Sequence, residues 1–445
     1  METCTIPPRE TCRICDSKEL TFLFSLGSQF VSDFVSKDKI SSGVSCPIAL
    51  IVCNKCSLVQ QRYTAPQDFL YTRHYWYVSG TTQTMRNALR DITRAAEEMV
   101  ELKHGDVVLD IGSNDGTLLR SYTVPGIIKV GVEPAKNLAE KGAVGVDLLI
   151  NDFWSGGAYD RGLMSWKPRA DLTGKVLDSF QPKVITAIGM FYDLEDPNQF
   201  IADVAKVLAP NGAFITQLMC LKQTLELGDV GNFAHEHLLF FTLKSMEDLF
   251  ARHGLRIFHV EENDVNGGSY RLFVAHTYNT ERCVRESVWQ AKHREEGVRV
   301  CEPHLEYLEN RFIADPIVFG YFFKGLVKNR SKCLEFIHRE RAKGKRFFVY
   351  GASTKGNVLL QWYGIDHFYM VVEAAADRSP EKHGLYTVGT GIPIVSEEVF
   401  REANPDYAIV LPYTFLQEFV EREKDWIVKG GKFVVPLPEF RVVLS

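Results

Sequence analysis

Two kinds of residue in this sequence are spaced for chemistry. The cysteines form two pairs of identical spacing, Cys12 and Cys15 in "CRIC", Cys53 and Cys56 in "CNKC". Each CxxC turn offers two thiolates from one knuckle, and together the two turns complete a tetrahedral Cys4 site for Zn2+. Such a site has no open coordination position, so the zinc it predicts is structural, not catalytic. Cys4 and Cys46 are left as spares. The second signal is "GNFAHEHLLFF", which sets His235 and His237 around Glu236 beside an apolar run. On extended backbone the two imidazoles point to one side and Glu236 to the other. The H-E-x-x-H pattern of zinc proteases fails, because position 239 is leucine. A general base is the alternative, since an imidazole takes up a proton near neutral pH. A purely structural HxH stands beside it.

The elements that must position these residues follow from the hydrophobic pattern. "DVVLDIGSNDGTLLRSY" reads as a buried strand, a glycine turn and a helix, and "IKVGVEP" as a second strand ending at Glu133. That is the start of a Rossmann-like sheet, whose ligand lies over the first turn at the strand ends. A dinucleotide turn needs G-x-G-x-x-G, with the middle glycine against pyrophosphate. Here Asn114 fills that place between Gly112 and Gly116. The turn therefore suits S-adenosylmethionine, which carries no phosphate. Asp110 and Glu133 supply carboxylates, Glu133 for the ribose hydroxyls. Asn151, Asp152 and Phe153 end the next strand, where an adenine would lie. "KVITAIGMFYDLEDPNQF" brings another strand to an end near Met190, and the strand–helix–strand pattern continues to Gln217.

Three further segments surround that sheet. "NDVNGGSYR" is either a hairpin turn or a loop whose Asn266, Ser269 and Arg271 contact a substrate. "DFLYTRHYWYVSG" is aromatic and joins the cysteine-bearing region to the sheet, with Tyr75, Tyr77 and Ser79 as candidates. "KRFFVYGASTKGNVLLQWYGI" repeats the strand–glycine turn–helix theme near the C-terminus. It is no P-loop, because Lys355 precedes Gly356. Its helix N-terminus, with Ser353 and Lys355, suits a diphosphate.

A chain of 445 residues is too long for one core. The boundaries expected are a zinc lobe over 1–70, a cofactor-binding domain over 71–282, and a helical connector with a second Rossmann-like domain over 283–445. The fold class is α/β. With 51 basic and 56 acidic residues the net charge is −5, unlike the basic balance of general nucleic-acid binders. No run of about 18 apolar residues predicts a membrane span. The N-terminus lacks a basic and then apolar signal pattern. A cytoplasmic location is therefore expected, and with it reduced cysteines. The oligomeric state is open. A nicotinamide-dependent sugar oxidoreductase is disfavoured by Asn114, and a zinc-containing scaffold without activity is the other rival class.

The chain resembles the nucleotide-sugar C-methyltransferases that make branched deoxysugars. The resemblance covers nearly the whole sequence. It rests on "CRIC…CNKCSLVQ", "LDIGSNDGTLL", "GVEPAKNLA", "FYDLEDP", "HEHLLFFTL", "NDVNGGSYRLFVAH" and "VYGASTKGNVLLQWYGI". It implies a zinc lobe, a class I methyltransferase domain and a Rossmann-like domain that holds the sugar nucleotide. It also implies C-methylation at C3 of a 4-keto-6-deoxy sugar through an enolate. The base would be His237, which matches the last histidine of the family's Y-H-E-H motif, with Glu236 orienting nearby groups. This chain departs from the pattern at Ala234, where the family has tyrosine, and at Asp193, near a family histidine. Tyr77 is kept. Carbon and oxygen both stay open as the methyl acceptor, the alternative being O-methylation of a sugar nucleotide or related small molecule.

Overall fold

A computed structural model describes residues 6–71, 75–167, 180–279, 300–301, 313–369 and 372–443. Cys4 lies outside them. The central sheet has eight strands, in the order Val300–Cys301, Leu255–Asn263, Ser269–His276, Ala213–Met219, Pro182–Ile188, Val107–Ile111, Ile128–Val132 and Leu148–Ile150. The last five are mutually parallel, and the first three are added antiparallel. Val107–Ile111 is buried at every position. That is why it reads as an unbroken apolar run: a parallel strand covered on both faces has no polar side to show. This is the class I methyltransferase fold.

The second sheet has six strands, ordered Ile394–Val395, Ala375–Ala376, Phe347–Tyr350, Tyr407–Val410, Lys432–Val435 and Arg441–Val443. All pairings in it are parallel except the last. The "FFVY" strand and the helix Thr354–Tyr363 flank the glycine turn of "VYGASTKG". Ser353 caps that helix, its Oγ accepting from the Gly356 N–H at 3.0 Å. A 27-residue helix, Pro316–Ala342, precedes this sheet and packs on the zinc lobe through Phe319 and Phe322. No described helix is long and apolar enough to cross a membrane.

The zinc lobe is less separate than its sequence suggests. Its strands Leu20–Phe30, Ser45–Cys53 and Val59–Gln61 form an antiparallel sheet whose fourth strand is Leu239–Phe240, just beyond the two histidines. One face of this sheet shares a core with the C-terminal sheet: Phe24, Ile48 and Leu50 pack with Phe233, Phe347 and Val349. The knuckles share a different core with the central sheet, where Cys12, Cys53 and Cys56 join Leu238, Phe241 and Leu218.

Candidate active site

The four predicted thiols meet. One Sγ from each of Cys12, Cys15, Cys53 and Cys56 lies within 4.8 Å of the others. Cys12 and Cys56 are 3.4 Å apart at sulfur, Cys15 and Cys53 3.5 Å. A tetrahedron of Zn–S bonds near 2.3 Å needs sulfurs about 3.8 Å apart. The donor set fits Zn2+, which would hold the two knuckles together and leave no position for a reactant.

Over the glycine turn lies a cavity of about 400 Å³. Of the residues expected at the cofactor, Gly112, Asn114, Glu133, Phe153 and Met190 line it. Gly112 has φ +70°, and a Cβ there would come 3.0 Å from the Met190 Cγ. The position thus needs glycine both for its backbone and for the closeness of its neighbour. Glu133 is buried, and each carboxylate oxygen accepts one backbone N–H, from Asn114 and from Ala135, both at 2.8 Å. Burial raises its pKa, while those two N–H groups lower it. Each oxygen keeps a second lone pair for a hydroxyl donor. An apolar cavity with a fixed carboxylate at the end of the second strand fits S-adenosylmethionine.

Four expected cofactor contacts are placed elsewhere. Asp110 is buried behind the turn and accepts from Thr186 Oγ1 at 2.6 Å, and burial pushes its pKa up to about 7. Gly116, at φ +75°, starts the helix Thr117–Arg120 without reaching the cavity wall. The Asn151 amide donates to the Glu133 carbonyl at 2.7 Å, so it braces the strand end that carries Glu133. Asp152 faces outward and pairs with Arg161 at 3.1 Å. Asn114 does more than was expected of it. It sits at φ +52°, accepts from Ser79 N at 3.0 Å and donates to the Tyr77 carbonyl at 3.0 Å. The turn thereby holds the aromatic linker over the site.

A second cavity, about 210 Å³, lies between the central and C-terminal sheets. The two cavities share Tyr75, Tyr77, Ser79, Ile188, Gly189 and Asp193 as common wall. Glu236, His237, Asn266, Ser353 and Lys355 line the second one. His235 does not. Residues 235–236 form a turn, with the His237 N–H bonded to the Ala234 carbonyl at 3.2 Å, so the period-2 expectation fails. His235 swings to the zinc lobe, its Nε2 2.9 Å from the Cys46 carbonyl, and Glu236 and His237 both face the cavity. Arg271 is also absent from the wall. Its strand neighbours claim it, Glu261 directly opposite at 2.9 Å and Gln217 on the other side at 2.9 Å, as does Asp91 of the helix Gln83–Val100 at 2.9 Å.

The ionisable groups of this cavity act on one another. His237 Nδ1 is 2.6 Å from the Asn232 carbonyl, which can only accept. Nδ1 therefore carries the proton and Nε2 the lone pair. Burial pulls the His237 pKa down to about 3, with Lys355 adding to the effect, so the ring is neutral at pH 7. Tyr192 meets it edge-on, ring centroids 4.6 Å apart. Asp193 is pushed well above the usual carboxylate range, first by burial and then by Glu236. Asp193 Oδ1 and Glu236 Oε2 have no hydrogen-bond partner among the described residues. Lys355 is the only lysine or arginine on the wall among the described residues. Burial lowers its pKa, and Asp229, Asp193 and Glu236 act against that. Sequence reading missed Asp229, whose carboxylate accepts from Tyr413 at 2.9 Å across 184 residues. It also missed the helix Gln83–Val100, which turns Met85, Leu89 and Ile92 toward the cavity.

Three family matches run along most of the chain. Residues 12–71 match a zinc binding domain, 81–260 a methyltransferase domain, and 264–438 the C-methyltransferase C-terminal domain. The chain is an S-adenosylmethionine-dependent methyltransferase. The C-methyltransferase NovU of Streptomyces niveus is 29% identical over 98% of both chains. Among solved structures, the plantazolicin methyltransferase BpumL in complex with SAH is 11% identical, over 43% of this chain and 83% of that one, at TM-score 0.31. Magnesium protoporphyrin IX methyltransferase of Synechocystis PCC 6803, with bound SAM, is 10% identical over 44% and 79%, at TM-score 0.28.

Proposed function

We propose that this methyltransferase alkylates a carbon beside the ketone of a 4-keto-6-deoxy sugar nucleotide, C3 first, with His237 as the base. The observation that carries the reading is the neutral imidazole of His237, its lone pair on Nε2, on a cavity that shares a wall with the cofactor cavity. The relative named a C-methyltransferase supports a carbon acceptor. S-adenosylmethionine supplies an electrophilic methyl carbon when bound. His237 Nε2 takes the proton from the carbon next to the ketone, and the C–H electron pair moves into an enolate whose carbon is then nucleophilic. Asn232 fixes the tautomer and Tyr192 the ring plane. Because the ring is uncharged well below neutral pH, the base is in its working form throughout the physiological range.

The test is proton exchange without cofactor. In deuterated water the wild type should exchange one proton flanking the C4 ketone of a thymidine-diphosphate 4-keto-6-deoxyhexose, and NMR reads whether it is at C3 or C5. His237→Asn should slow that exchange about 10²–10⁴-fold, the range for a positioned general base, while affinity for S-adenosylhomocysteine stays within about twofold. An O-methyltransferase has no carbon acid to deprotonate, so a wild type that exchanges nothing defeats the reading.

A further inference from the structure

We propose that Lys355 is a catalytic residue, its ammonium donating to the oxygen that gains charge as the enolate forms. The inference rests on the carbon-acid reading above. The sequence pointed Lys355 toward a diphosphate because it opens a helix. Its surroundings point elsewhere.

One residue holds both the base and the lysine. The Asn232 carbonyl accepts from His237 Nδ1 at 2.6 Å, and its side-chain Oδ1 accepts from Lys355 Nζ at 3.1 Å. An ammonium can only donate, so the amide oxygen must face the lysine, and the Asn232 amide nitrogen is left to donate to Thr224 Oγ1 at 3.0 Å. Asn232 is itself 1% exposed. The cation is therefore placed against the base by a buried anchor, not by a mobile surface loop.

The ammonium is also under-used. It has three donors. Its described partners are the neutral Asn232 Oδ1 and the Met219 thioether, 3.0 Å from Nζ. A thioether is a weak acceptor, readily replaced by a better one. Asp193, Asp229 and Glu236 favour the charged form from a distance, yet none of them makes an ion pair with it. The result is a charged donor on the cavity wall, partnered weakly and near the proton acceptor. When His237 removes the proton, the electron pair of the C–H bond becomes the C=C bond and the carbonyl π pair moves to oxygen. That oxygen, two bonds from the carbon being deprotonated, is where a fixed cation is most effective.

The experiment compares wild type with Lys355→Met and Lys355→Gln, using the same 4-keto sugar nucleotide in deuterated water without cofactor. Circular dichroism and S-adenosylhomocysteine affinity establish that each variant is folded. The expected result is exchange slowed about 10²–10³-fold, the scale for losing one oxyanion donor, with thymidine diphosphate affinity within about threefold of wild type. Unchanged exchange in either folded variant overturns the proposal. So does a loss of thymidine diphosphate affinity that accounts for the whole loss of rate at low substrate, because that is the behaviour of a diphosphate anchor. A wild type that exchanges nothing overturns the carbon-acid reading itself, and this proposal with it. Exchange by wild type beside an unaffected variant overturns this proposal alone.

Discussion

At the scale of single residues, the two histidines of one short motif have been given different work by one turn. His237 keeps a lone pair toward the cavity, whereas His235 is 3% exposed with its Nδ1 unpartnered among the described residues. Burial drags the His235 pKa from 6.5 down to about 4. A histidine depressed in the fold binds its proton more readily when the chain is unfolded. The stability it permits is fully present above about pH 6.5 and is lost as pH falls toward 4. Buried carboxylates such as Asp193, raised in the fold, run the other way, so the raw acid profile mixes both. The clean measurement is a difference. Denaturant unfolding of wild type minus His235→Gln, taken at several pH values, should decline steadily between pH 6.5 and 4. A flat difference would mean that burial does not hold the ring neutral against the Cys46 carbonyl, which favours its protonated form.

At the scale of elements, Arg13, one of the two residues between the first two zinc ligands, ties three segments together. The Arg13 side chain is fully buried; its guanidinium donates to the Gln61 carbonyl at 2.8 Å, to Thr64 Oγ1 at 2.7 Å and to Glu195 Oε2 at 3.1 Å. Gln61 belongs to the strand that pairs with Leu239, directly after the histidine turn, and its amide reaches the Ala234 carbonyl at 3.3 Å. Glu195 lies on the wall of the cofactor cavity. Arg13→Met should therefore weaken S-adenosylhomocysteine binding several-fold by calorimetry, with zinc content unchanged. Equal affinity would show that Arg9 and Thr64 anchor Glu195 without Arg13. The sequence could not reveal this. Parallel buried strands and a glycine turn write themselves as local patterns, which is why Val107–Ile111, Gly112 and the strand end at Glu133 were legible. Arg13 and Glu195 meet across 182 residues, and no local period encodes that. Arg271 failed for a related reason: a charged residue in a strand looks like a ligand contact until the strands beside it, with Glu261 and Gln217, are known. His235 failed because a two-residue turn cancels the alternation from which its direction was read.

At the scale of the whole molecule, the zinc lobe works as a keystone between two sheets. Its ligand cysteines belong to the core of the central sheet, and its strands to the core of the C-terminal sheet. The strand Tyr386–Thr387 also pairs with Phe34–Val35 of the lobe. The cavity that holds His237 and Lys355 opens between those same two sheets, so its shape depends on the lobe although no zinc ligand lines it. Metal binding that requires the folded site adds directly to folding stability. Removing the zinc with a chelator, or with Cys56→Ser, should then lower the melting temperature of the chain by at least about 2 °C, the shift expected for about 2 kcal/mol when a unit of this size melts as one. Because both cores run through the lobe, the loss should appear in the main transition and not as a small separate one. Calorimetry resolves the two cases, and metal analysis confirms that the site was emptied. A metal-free chain with an unchanged main transition would mean that the four thiols hold the knuckles without an ion. A distinct low-temperature transition would mean that the lobe folds apart from the sheets it touches. If instead the main transition falls and S-adenosylhomocysteine affinity falls with it, the lobe sets the spacing of the two cavities, and the structural metal acts on chemistry through position alone.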